Sequence, residues 1–249
     1  MKSILITGCS SGIGLDAALA FRDAGWKVIA SCRKPADCAI MRDQHKMHSI
    51  CIDYENEASI TKGFADALAF TGGHLDVLFN NATYMHPELI TPKPFWEKSL
   101  DAAAILDVGL RSAYVASWHA ARIMVAARTG WIVFGSSFGA NCYMHGPGYG
   151  AQKAGLDKFA ADMQHDLNGT GVNSVSIWMG PLKTERALKA AEVHPEQYEE
   201  IMQVAESPEY TGHLIHGLRS GPDQSSYAGQ TVIGAELGVA LKISAAGIY

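Results

Sequence analysis

No two cysteines of this chain stand in a C-x-x-C pair, and the five present (Cys9, Cys32, Cys38, Cys51 and Cys142) are odd in number and widely spaced. That argues against both a disulfide frame and a cysteine-built zinc site, and favours buried or idle thiols. Long apolar runs are missing too. The opening MKSILITG holds three consecutive apolar residues, too few for a secretory signal, and no later run approaches a bilayer span, so no membrane association and a cytoplasmic location are expected. Nor is there an excess of positive charge: the formal net charge is −5 with 18% charged residues, which gives nucleic acid no basic surface to meet. Internal repeats, low-complexity tracts and linker-like shifts of composition are absent, and proline clusters only around 87–94, which reads as a loop at the carboxyl edge of a sheet.

What remains is a chain of 249 residues, 48% apolar, long enough to bury a large core as a single domain over 1–249. Short apolar runs alternate with segments of helical period, the pattern of βαβ units around a parallel sheet. Strands are expected at 3–7, 27–32, 48–53, 75–80, 131–136, 174–178 and 231–234, and helices at 12–24, 57–70, 100–127, 149–168 and 184–205. The fold class is therefore α/β: a doubly wound, three-layer sheet of seven mainly parallel strands flanked by helices.

The first strand runs into TGCSSGIG, residues 7–14, which opens a helix. A diphosphate must approach backbone N–H groups at a helix N-terminus, where unpaired donors and the helix dipole stabilise negative charge. Side chains would block that approach, so glycine is needed at the turn and at the contact point. Gly8, Gly12 and Gly14 meet the requirement, with Ser10, Ser11 and Ile13 in the same turn. At the end of the second strand an acid hydrogen-bonds an adenosine 2′-hydroxyl, whereas a base accommodates a 2′-phosphate. Here Arg33 and Lys34 stand at that edge with no acid before Asp37. NADP(H) is expected over NAD(H), the alternative being that the two cations form a solvated pair.

Tyr149 and Lys153 lie one helical turn apart on one face. An ammonium near a phenol favours phenolate, bringing its pKa of about 10 down toward working pH, as acid/base work on a carbonyl and alcohol pair requires. Ser136 and Ser137 close the strand at 131–136, at the sheet edge where such folds bind ligands. Counting along the strand from Gly130 favours Ser137 as the partner of the tyrosine, and counting back from Tyr149 favours Ser136. The pleat holds the strand register while a loop can lose a residue, so Ser137 is preferred.

Taken together, TGCSSGIG, then Asn80-Asn81-Ala82, then Ser137 with Tyr149-Gly150-Ala151-Gln152-Lys153 resemble the short-chain dehydrogenase/reductase family over essentially the whole chain. The run Asp107-Val108-Gly109-Leu110-Arg111 and the context of Tyr149 are similar to the branch that includes dehydrogenase/reductase member 1. The resemblance implies a Rossmann-type sheet and a nicotinamide cofactor. It implies Tyr149 as proton donor or acceptor, Lys153 holding the nicotinamide ribose and Ser137 orienting the substrate carbonyl. It further implies cofactor contacts at Asp53 and its neighbour Tyr54, at Asn80, Asn81 and Ala82, and at Gly180 and Thr184. A homodimer or homotetramer is the expected assembly.

Three positions depart from that pattern: Thr83 stands where the family has glycine, Met179 where it has proline, and Gly109 where it has a proton-relay asparagine. The expected function is NADP(H)-dependent interconversion of a ketone or aldehyde and an alcohol. Gly109 motivates the alternative of a catalytically weak NADP(H) sensor or scaffold. Met85, Tyr143, Met144, Met179 and Leu182 suggest a hydrophobic small-molecule substrate. Residues 184–206 could be a lid that excludes water or a plain surface helix. His213 and His216 could share a helix face, but no carboxylate or cysteine beyond Glu209 stands at metal spacing, so no metal is expected. His145, four residues before Tyr149, borders the substrate as shape rather than chemistry.

Overall fold

A computed structural model describes residues 1–193, 195–221 and 225–244. Seven strands form one sheet: β1 (Ser3–Thr7), β2 (Lys27–Cys32), β3 (His48–Cys51), β4 (Val77–Asn80), β5 (Gly130–Ser136), β6 (Val172–Trp178) and β7 (Thr231–Ile233), in spatial order β3-β2-β1-β4-β5-β6-β7. Every pairing is parallel. The chain winds outward from β1 to β3, then returns to place β4 on the other side of β1. Between β1 and β4 the winding reverses, and at such a point the loops leaving the strands part to form a crevice.

Alternation along β1 shows how the sheet is buried on both faces. Ile4 and Ile6 join one core with Phe21, Met41, Leu214 and Ile215, while Leu5 joins the opposite core with Ile29, Phe64, Ala120 and Leu156. Helices α1 (Gly12–Asp23), α2 (Pro35–Asp43) and α3 (Glu57–Thr71) follow the first three strands. The segment expected as one helix over 100–127 is composite: a 3₁₀ turn at Leu100–Ala103, α4 (Ala104–Leu106), a π turn at Asp107–Arg111 and α5 (Ser112–Ala127). After it come α6 (Pro147–Leu167), α7 (Glu185–Val193), α8 (Pro195–Val204), α9 (Tyr210–Ser220) and α10 (Gly234–Leu241).

Three of these helices were not foreseen in the sequence pattern. In α2 only Cys38 and Met41 are buried, too narrow a stripe to stand out, although Pro35 at its first turn is a start signal. The apolar face of α9 (Tyr210, Leu214, Ile215, Leu218) is diluted by glycine and histidine, and His216 packs edge-on against Phe21 and Trp26. The eight-residue α10 follows β7 without a break. Strand β4 begins at Val77 rather than at 75, because the Asp76 carboxylate accepts from the Ser3 backbone N–H (2.8 Å) and occupies that end of the ladder.

Candidate functional site

A cavity of about 820 Å³ opens along the carboxyl ends of the strands. At one end, Gly8, Ser10, Ser11, Gly12 and Ile13 form its floor. Gly8 and Gly12 have φ of +75° and +58°, the left-handed region that favours glycine. A methyl group on Gly8 would come within 2.9 Å of the Ala82 Cα, and one on Gly14 would collide with the Gly8 carbonyl oxygen. Gly14 is thus a packing residue that draws α1 against the turn, and it does not line the cavity. Ser11 caps α1 in an extended conformation without a side-chain bond to the helix, and the first turn carries no acid. Its backbone donors are left for a ligand, which fits the diphosphate of a dinucleotide.

The end of the cavity where adenosine is expected is framed by Ser31, Arg33, Asp53 and Tyr54. Tyr54 is buried and donates from its hydroxyl to Ser31 Oγ (2.6 Å), and burial drives its pKa far up, so it is a fixed neutral wall. The Asp53 carboxylate accepts from the Glu55 N–H (3.1 Å), and its backbone N–H donates to Ser59 Oγ (2.9 Å). Lys34 caps α2 and is exposed; it does not reach the cavity wall. Asn81 and Ala82 line the cavity, with both backbone N–H groups on Thr7 Oγ1 (2.9 Å each). Asn80 lies behind them, buried, its amide donating to Ser117 Oγ (3.0 Å) on α5.

At the other end Ser137, Tyr149 and Lys153 converge. Ser137 Oγ lies 2.9 Å from the Tyr149 hydroxyl and accepts the Gly139 N–H (3.2 Å). The side chain of Ser136 is spent elsewhere, donating to the Lys153 carbonyl (3.2 Å) inside the core. Gly139 is required here because any side chain would run into the Tyr149 ring. Lys153 Nζ sits 5.4 Å from the Tyr149 ring centroid and donates to the Gly135 carbonyl (2.9 Å). Burial lowers the Lys153 pKa to about 8, against the pull of Asp157. The phenol differs from the sequence expectation. Burial raises its pKa, only partly offset by the Ser137 hydrogen bond, because the ammonium is turned to Gly135 rather than to the tyrosine oxygen.

Gly180 and Thr184 line the cavity, joined by Thr83, Tyr84, Met85, Val108, His145, Met179 and Leu182. Tyr143 is 82% exposed, and neither it nor Met144 reaches the wall. Glu185, Arg186 and Lys189 of α7 bring charge to a rim expected to be apolar. The excursion 183–205 is tied at its base by a parallel bridge between Leu182 and Glu206. His145 holds φ +57°, unusual for a non-glycine residue, and meets the Tyr149 ring edge-on at 4.9 Å. Its pKa is lowered by burial and then by Lys98. Sequence reasoning missed Gln152, whose amide donates to the Gly109 carbonyl (3.1 Å). The only signal for it was the missing side chain at 109, which leaves a volume that something must fill.

The chain is similar to proteins already known. The family model described as short chain dehydrogenase matches residues 2–194. Mouse "Dehydrogenase/reductase SDR family member 1" is 34% identical over 94% of this chain and 79% of its own length. Among solved structures, "ElxO with NADP Bound" superposes with a TM-score of 0.83 at 20% identity, covering 93% of this chain and 96% of that one. A 3-oxoacyl-[acyl-carrier protein] reductase from Brucella melitensis with bound NAD reaches 0.78 at 24% identity, over 93% and 88%.

Proposed function

This chain belongs to the short-chain dehydrogenase/reductase family, oxidoreductases acting on CH–OH groups with NAD(P), and on that premise we propose that it is an NADP(H)-dependent reductase of ketones or aldehydes, or the reverse alcohol dehydrogenase. The observation that carries the reading is the 2.9 Å contact between Ser137 Oγ and the Tyr149 hydroxyl, beside a buried Lys153, in the same cavity as the glycine turn.

When bound, the nicotinamide supplies or accepts the hydride. Residues 8–13 would receive the diphosphate, Asp53 and Tyr54 the adenine side, and Asn81, Ala82, Gly180 and Thr184 the remainder. Ser137 holds the substrate oxygen while Tyr149 gives it a proton or takes one away. Lys153, its ammonium held on the Gly135 carbonyl 5.4 Å from the Tyr149 ring centroid, adds positive charge close to the phenol, which steadies phenolate once the proton has gone.

Preference for NADP(H) rests on Arg33, which lines the adenosine end without a neighbouring acid on β2. The solved relatives named above hold NADP in one case and NAD in the other. The apolar surface of Met85, Val108, Met179 and Leu182 supports a substrate with a hydrophobic body. We read 183–205 as a lid over that substrate, since α7 lines the cavity and buries none of its residues. Tyr114, Trp118 and Val125 leave large apolar surface exposed on α5, which supports association of two copies there. No helix among the described residues is long and apolar enough to cross a membrane; a cytoplasmic location is the accompanying reading.

The test mixes the pure protein with NADPH or NADH and a panel of ketones, aldehydes and quinones while cofactor absorbance is followed. Turnover is expected with NADPH. Tyr149→Phe should lose it by about 10²–10⁴-fold with cofactor affinity retained. Tight NADPH binding with a flat trace across the panel would instead identify a sensor.

A further inference from the structure

The inference concerns the place where the long helix departs from α geometry, and it rests on the oxidoreductase reading above. A π turn spaces its backbone hydrogen bonds five residues apart and so disturbs the regular pairing of helix carbonyls. In this chain two carbonyls of the turn are taken up by side chains. The Ser112 hydroxyl donates to the Val108 carbonyl, and Gln152 Nε2 donates to the Gly109 carbonyl at 3.1 Å. Gly109 is what makes the second contact fit. A side chain there would meet Gln152 Cγ at 2.9 Å, Nε2 at 3.0 Å and Cδ at 3.1 Å, so the amide from α6 occupies the space that a residue at 109 would fill.

The position of this contact matters because of its neighbours. Val108 and Lys153, the residues next to Gly109 and Gln152, both line the cavity. The turn of α6 that carries Lys153 is therefore clamped twice: Ser136 Oγ donates to the Lys153 carbonyl from the sheet, and Gln152 reaches the π turn. One atom of the clamp is unanswered. Gln152 is 1% exposed, and its Oε1 has no hydrogen-bond partner among the described residues. A buried acceptor of this kind is ordinarily satisfied by an internal water. Lys153, the next residue along α6, is buried as well, with its ammonium on the Gly135 carbonyl.

We propose that Gln152 is a positioning residue of the catalytic site, which locks the Lys153 turn of α6 to the π turn at Gly109 and holds at Oε1 the water through which Lys153 exchanges its proton. Gly109 and Gln152 then form one device: the glycine opens the space, and the amide is delivered from the opposite helix.

Gln152→Met keeps the length and removes both polar atoms. Its NADPH Kd should stay within about twofold of the parent while kcat falls about tenfold, and the solvent deuterium isotope effect on kcat should rise as proton exchange becomes limiting. A loss of packing alone would not single out the solvent isotope effect. The pair Gly109→Asn and Gln152→Ala returns an amide to the same space from the other side. Gly109→Asn alone should lower Tm by several degrees, and adding Gln152→Ala should recover most of that loss, a coupling readable without any turnover. Parent kcat and isotope effect in Gln152→Met would overturn the proposal, as would strictly additive Tm changes across the Gly109/Gln152 pair. A parent protein inert on every substrate would overturn the oxidoreductase reading instead, and the Tm cycle would still judge the clamp.

Discussion

On one side of the cavity, residues 7–14, Ser136, Ser137 and Lys153 hang from strand ends and from helices pressed on the sheet. On the other, 183–205 reaches the same cavity as a pair of helices in which α7 buries no residue. The first group is over-determined. Ile4 and Ile6 are fully buried immediately before the glycine turn, and Ser136 is fully buried where β5 meets α6. The second group is held at its base by the Leu182–Glu206 bridge and by hydrogen bonds from the Lys183 N–H to the Glu206 carbonyl and from the Glu206 N–H to the Pro181 carbonyl (3.0 Å each). Under the proposed function, the groups assigned to the reacting atoms sit on the deeply packed side, and the surface assigned to admit and release a substrate sits on the other.

The sharpest way to break the comparison is at the glycine turn. Gly14→Ala sets a methyl group against the Gly8 carbonyl, a backbone atom that cannot swing away. The turn must shift, moving Gly8, Gly12 and the α1 donors together. Loss of measurable NADPH binding is expected by titration, with a stability loss of about 1–3 kcal/mol by denaturant melts. Leu188→Ala, on the loosely held side, trims a half-exposed side chain that does not line the cavity and should bind NADPH as the parent does. If Gly14→Ala binds normally, the turn is not the rigid element supposed here.

The same contrast explains which parts could be read in advance. The strands, the glycine turn and the Tyr149–Lys153 pair are local patterns, fixed by periodicity and by backbone conformations that few residues can adopt. Ser137 needed only the pleat of β5 to be preferred over Ser136, and its Oγ lies 2.9 Å from the Tyr149 hydroxyl. What stayed hidden depends on distant pairing. Gln152 is an unremarkable glutamine until Gly109, 43 residues away, leaves room for it. The raised pKa of Tyr149 depends on where the Lys153 ammonium turns, and α9 was hidden because glycine and histidine dilute its apolar face, His216 packing against Phe21 and Trp26.

Lys153 offers the next largest effect, through pH. Its pKa of about 8 in the folded chain lies below the ordinary 10.5. Below pH 8 the lysine is charged in both states and the full penalty of burying that charge is present. Between pH 8 and 10.5 the unfolded chain holds more protons than the folded one, so stability rises with pH across that window. The rise attributable to this group is about 3 kcal/mol, taken as the difference between the parent and Lys153→Met. Chemical denaturation of both proteins from pH 7 to 10.5 measures it. The methionine variant should lack turnover, which would mark the buried charge as a stability cost carried for function. Parallel curves would mean that Lys153 is better solvated than its position beside Gly135 implies.

The smallest effect belongs to the loosely held wall. Leu188 on α7 is 46% exposed, whereas Ile6 on β1 has no exposed surface at all. Ile6→Ala should cost about 2–5 kcal/mol, the usual result of removing a branched side chain from a packed core. Leu188→Ala should change stability by no more than about 0.5 kcal/mol, because little apolar area leaves water when α7 folds. Its effect should appear in KM for substrate, with kcat and cofactor Kd unchanged, since α7 touches the cavity through Glu185, Arg186 and Lys189 and is remote from Ser137 and Tyr149 in the chain. Equal stability losses at positions 6 and 188 would show that 183–205 folds with the sheet as one cooperative unit. A loss confined to position 6, with KM moved only by position 188, fits a wall that opens while the frame beneath it stays closed.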